Sequence, residues 1–150
     1  MNTLYKLVDK LKAELDSNKL INTTTIGDIT DIDLDKTTIF PLAHISLGDA
    51  SITESSLDIN INVILMDIVD ENKESEGGFL GNDNEYDVLN SMLSAGTRLV
   101  QGFQRGQGYE SGYQMENEAK VEFFTDRFEN KLAGVSIDLN LALSNISDVC

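Results

Sequence analysis

Leu4, Leu7, Val8, Leu11 and Leu15 recur at three- and four-residue steps, with Lys6, Asp9, Lys10, Lys12 and Glu14 on the other faces. That spacing predicts an amphipathic helix over residues 3–17. Residues 21–35 are rich in Thr, Ile and Asp, which disfavour helix and favour an extended or looping path, with extra strand material near residue 25. Residues 38–47 read as a strand, in which Pro41 cannot donate to a ladder and so belongs at an edge or a bulge. Gly48-Asp49 then predicts a turn.

The clearest strand pattern lies in residues 55–70, where Leu57, Ile59, Ile61, Val63 and Leu65 alternate with Asp58, Asn60 and Asn62. Further along, Ile64, Met66 and Ile68 make the second face apolar as well, so a helix or a neighbouring subunit is expected to cover that end. Residues 38–47 and 57–68 are most simply neighbouring antiparallel strands. Residues 70–84 combine acids with Gly77, Gly78 and Gly81 and read as a loop. Asp83 or Asn84 can cap the next helix, in which Val88, Leu89, Met92, Leu93, Gly96, Leu99, Val100 and Phe103 form an apolar stripe. Residues 105–118, with three glycines, read as a long loop or a hairpin. Residues 121–125 and 135–143 are the last strands, the second alternating Val135, Ile137, Leu139, Leu141 and Leu143 with small and polar residues. The order α-β-β-α-β-β predicts a single α+β domain over residues 1–150, with helices packed on one face of an antiparallel sheet.

Composition narrows the functional classes. The 150 residues hold 26 acids against 11 Lys and Arg, a net charge of −15, yet 41% are hydrophobic, which is globular and not disordered. Such a charge repels phosphate backbones and argues against sequence-independent nucleic-acid binding. Three readings of the acidity remain: a solvated surface, a channel wall past which nucleic acid slides, or mimicry of nucleic acid at a basic groove. Cys150 is the single cysteine, so an intrachain disulfide and a Cys-based metal cluster are excluded. No apolar run is long enough to span a bilayer, and the first 19 residues lack a signal-peptide core. Cys150 is also misplaced for prenylation, so synthesis in the cytoplasm without membrane attachment is expected.

Candidate chemistry is sparse. His44 is the single histidine and shares a face with Leu42, which favours a structural imidazole over a catalytic one. Asp31-x-Asp33-x-Asp35 begins like a calcium loop but has Lys36 where Gly is needed and Leu42 where a bidentate Glu is needed. Asp70-x-Asn72-x-Glu74 fails in the same way, with Ser75 and Gly81 at those positions. Gly106, Gly108 and Gly112 do not have dinucleotide-binding spacing. No catalytic, cofactor or metal residues are therefore expected.

Residues suited to contact are easier to name. Phe79 lies in the acidic loop and Tyr109 and Tyr113 in the glycine loop; each either anchors an interface or tucks onto its own core. Phe123, Phe124 and Phe128 are close enough in sequence that both faces of their strand need cover.

Three stretches together resemble tail-terminator-like, head-to-tail connector ring proteins of tailed bacteriophages: Phe40-Pro41-Leu42-Ala43-His44, residues 81–90 (GNDNEYDVLN) and residues 125–134 (TDRFENKLAG). With the element order, the resemblance spans nearly the whole chain. It implies a non-enzymatic virion protein at the head–tail junction, forming a ring of typically six or twelve copies between portal or adaptor and tail proteins. DNA would pass through without specific binding. Ring closure needs two different patches on each subunit. The loops at 70–84 and 105–118, with Phe79, Arg105, Tyr109 and Tyr113, are the candidates for one side. The other candidate is residues 124–130, with Phe124, Arg127 and Phe128; Arg127 can pair with a neighbour's carboxylate or internally with Glu122 or Glu129. An acidic inhibitor or DNA mimic blocking a basic site on another protein is the alternative.

Overall fold

The computed structural model describes residues 3–28, 39–54, 56–69, 85–104, 113–115, 118–127 and 132–144. Two helices, α1 (Thr3–Asp16) and α2 (Glu85–Gln104), accompany six strands: β1 (Thr23–Ile26), β2 (Leu42–Ile52), β3 (Ser56–Ile68), β4 (Tyr113–Met115), β5 (Lys120–Arg127) and β6 (Leu132–Ser144). The strands form one sheet in the order β1-β2-β3-β6, with β4 and β5 both pairing the far side of β6. Tyr113 to Met115 pair with Leu143 to Leu141, and Lys120 to Arg127 pair with Asp138 to Leu132, so β4 and β5 run collinearly as one interrupted edge strand.

The chain is α+β, but three local expectations change. The sheet is mixed, because β1 runs parallel to β2 while all other pairs are antiparallel. Pro41 lies just before β2, and its carbonyl accepts from both Asn22 N (2.8 Å) and Thr23 N (3.2 Å), which lays β1 alongside. Gly48-Asp49 is an irregularity inside β2 and not a turn: the register jumps between Leu47 and Ala50, and the chain reverses only at Thr53, whose N–H donates to the Ser56 carbonyl (2.8 Å). A glycine beside an acid marks a bulge as readily as a turn. Of residues 105–118, read as a long loop or a hairpin, Tyr113–Met115 form strand β4.

The antiparallel partners share a face, so the alternation in sequence sorts side chains into two layers. On one face, Ala43, Ile45, Ile59, Ile61, Val63, Leu65, Ala133, Val135, Ile137, Leu139 and Leu141 join a single buried cluster. Leu7, Leu11 and Leu15 of α1 and Val88, Met92, Ala95, Leu99 and Phe103 of α2 belong to the same cluster. We call this the core face. Full burial of each Leu, Ile, Val, Met or Phe side chain in it stabilises the fold by about 1.5–3 kcal/mol. Gly96 allows α2 to sit close to the sheet, since a Cβ there would come 2.5 Å from Ile137 Cδ1.

Candidate interaction surface

The second face of the sheet changes character along its length. At one end Phe40, Leu42, Met66 and Leu132 are buried together, with Ile39, Ile64, Ile68 and Phe124 packed against them. Beyond His44 the same face becomes polar. Asn62 Nδ2 donates to Ser136 Oγ and Asp138 Oδ1 (both 2.9 Å), and Asn60 Nδ2 donates to Asn140 Oδ1 (3.0 Å). These cross-strand amides engage their neighbours and make a polar ladder in which Asp58 of β3 and Asp138 of β6 are the acids.

His44 stands at the boundary and is fully buried. Its Nε2 is 2.8 Å from the Gly27 carbonyl, which can only accept, so Nε2 carries the proton; Nδ1 is 2.8 Å from Thr25 Oγ1. Both ring nitrogens are thus used to hold β1 and its exit to β2, and the imidazole is structural. Gly27, at φ +119°, is in a conformation that suits glycine and marks where the chain leaves β2's edge after Ile26.

A cleft of about 360 Å³ lies on the core side, lined by Lys19, Leu20, Ile21, Asn22, Pro41, Asp67, Ser91 and Met92. Burial pushes the Asp67 carboxyl above its ordinary range, against a smaller opposing effect of the Ile68 N–H it accepts (2.8 Å). Among the described residues no group of three or more His, Cys, Asp or Glu converges as a metal site, and no helix is long and apolar enough to cross a membrane.

The candidate contact residues are only partly brought to view. Phe124 is half-buried in the apolar end of the second face, opposite Gly134, and so contributes to the fold. Its neighbour Phe123 points to the core face of β5, where it is 56% exposed, with Val121 beside it at 37%. Sequence reasoning noted Phe123 but did not select it; the signal was available, because strict alternation puts Phe123 and Phe124 on opposite faces and only one can join a given cluster. Tyr113 opens β4 opposite Leu143, and Arg127 closes β5 opposite Leu132. Phe79, Arg105, Tyr109 and Phe128 lie outside the described residues, as do the loop at 70–84 and the carboxylates Asp31, Asp33 and Asp35.

A second apolar strip lies at the opposite edge. Ile26, Leu47 and Ile52 are 43%, 47% and 79% exposed, and all three share the core face through their pairing with Ile45, Ile61 and Leu57. No protein family and no curated protein matches this sequence.

Proposed function

We propose that this chain is a structural virion protein of a tailed bacteriophage, a connector or tail-terminator subunit that works by assembling into a ring at the head–tail junction. The observation that carries the reading is the pair of unlike apolar strips, Val121 with Phe123 at one edge and Ile26, Leu47 and Ile52 at the other. Two different patches on opposite edges are what a head-to-tail, ring-closing contact requires, whereas a two-fold dimer reuses one patch. The resemblance of residues 40–44, 81–90 and 125–134 to connector proteins supports the same conclusion. In this arrangement the helices stand on one side of the sheet, and the amide ladder of the second face lines a lumen. An amide-rich lining whose few charges are mostly acidic passes DNA without holding its phosphates.

The net charge of −15 also favours a second reading, an acidic inhibitor that occupies a basic groove on another protein. Salt separates the two. Subunits of like charge that meet through apolar strips associate more strongly as screening rises, whereas a mimic loses its target. Sedimentation of the concentrated protein across a salt series is therefore the test. Mass that grows with salt supports the ring, and salt-insensitive monomer with salt-labile capture of a basic protein overturns it.

A further inference from the structure

The sheet's topology specifies how two copies would join. Along the path β2-β3-β6-β5 every neighbour is antiparallel, so β5 runs opposite to β2. When copies repeat side by side about an axis along the strands, the outer edge of β5 meets the outer edge of the next copy's β2 in antiparallel orientation, with core faces on the same side. The number of strands decides this: an odd number would have forced a parallel junction.

Both edges are open to such pairing among the described residues. β1 covers β2 only from Leu42 to Ile45, leaving Ser46 to Ile52 without an outer strand, and β5 has β6 on one side only. An unpaired row of backbone donors and acceptors is a template for another strand. We infer that Lys120 to Phe124 of one copy add as a strand to Ser46 to Ser51 of the next, which deepens, and rests on, the ring reading above.

Side chains select one register. β2 carries one extra residue, with Gly48 and Asp49 together facing the single residue Asn60 of β3. If β5 repeats β3's pattern on β2's other side, Lys120 lies opposite Ser51, Val121 opposite Ala50 and Phe123 opposite Leu47. Phe123 then meets Leu47 on the core face as a cross-strand pair, and Val121 lies diagonal to Ile52, contacts of the stabilising kind. On the second face Lys120 comes beside Asp58, which pairs with Ser51 and whose Oδ1 is buried without a hydrogen-bond donor among the described residues. Charge fits too. Within the added segment Lys120 offsets Glu122, so the acidic edge bearing Asp49 and Glu54 meets a neutral one. Glu122 faces the bulge at Asp49, an acid–acid contact that salt relieves.

The test is cysteine cross-linking of the full chain. In a Cys150→Ser background, Ala50→Cys and Val121→Cys are combined and oxidised at high salt and high protein concentration, with each single variant as control and circular dichroism as the check of folding. The expected result is a ladder of several subunits from the double variant and from neither single one, with Phe123→Asp, added to the double variant, reducing the ladder at least tenfold. A dimer from Val121→Cys alone would mean that β5 pairs with itself and would overturn the inference. Assembly seen by sedimentation without a ladder would overturn this edge contact while leaving the ring reading in place. A folded protein that neither cross-links nor assembles would overturn both.

Discussion

The two faces of one sheet are built on different principles. The core face is apolar through its centre, with Asp67 at one end, and is closed by Leu7, Leu11 and Leu15 of α1 and the stripe from Val88 to Phe103 of α2. The second face is apolar only around Leu42, Met66 and Leu132, then passes through His44 to a ladder of amides. The first face exists to hold the fold together. The second is finished within the subunit at one end and, at the other, is a wet ladder of amides that includes Asp58 and Asp138. The core face thus stabilises the subunit through its centre and, at its two edges, leaves exposed the apolar side chains on which the proposed assembly rests, Phe123 at one and Leu47 and Ile52 at the other.

The comparison predicts a gradient of mutational cost. Leu65→Ala, in the centre of the core face, is expected to lose about 3–4 kcal/mol, because a buried cavity adds to the lost transfer energy. Met66→Ala is expected to cost nearly as much, about 2–4 kcal/mol, although it points the other way, because Met66 is fully buried in the smaller cluster. A loss for Met66→Ala close to zero would show that the second face is not packed there. Urea unfolding measures both.

His44→Ala comes next, at about 2–3 kcal/mol, since it removes both hydrogen bonds and leaves the Gly27 carbonyl and Thr25 hydroxyl without their partner. Asn62→Ala, in the wet ladder, is expected to cost about 1 kcal/mol despite the acceptors it engages, because solvent replaces them. If Asn62→Ala cost more than His44→Ala, the division into a structural boundary and an available surface would be wrong.

The smallest effect concerns the cleft. Asp67 titrates above its ordinary value of 3.8 because burial penalises the carboxylate. The folded state therefore binds this proton more tightly than the unfolded chain does, and the penalty is fully present above the folded pKa and fades as pH falls toward 3.8. Asp67→Asn should raise the melting temperature by about 1–3 °C at neutral pH, and the gain should vanish in acid. Thermal scans at several pH values read this directly.

Much of the core face was legible in sequence, because period-two alternation from Leu57 to Leu65 and from Val135 to Leu143 and the helical spacing of α1 and α2 are local signals. The irregularity in β2 was not, since Gly48-Asp49 has the composition of a turn and only the pairing with Asn60 shows it to be a bulge. β1 was visible merely as extended chain: its parallel partner depends on the Pro41 carbonyl and on His44, both distant in sequence. That β5 carries more aromatic side chains than one face can bury was legible in the adjacent Phe123 and Phe124. The choice between Phe123 and Phe124 depends on Gly134 opposite Phe124, a cross-strand fact that no single segment contains.

The account's central claim is that the chain is a ring-forming part of a phage particle. Its most direct test is to assay purified virions from the native source by mass spectrometry and to locate the protein on them with a labelled antibody. The account predicts a low, fixed copy number per particle, with label confined to the junction of head and tail. Absence from the particle, with abundance in infected cells, would contradict it and redirect the search to a basic protein target.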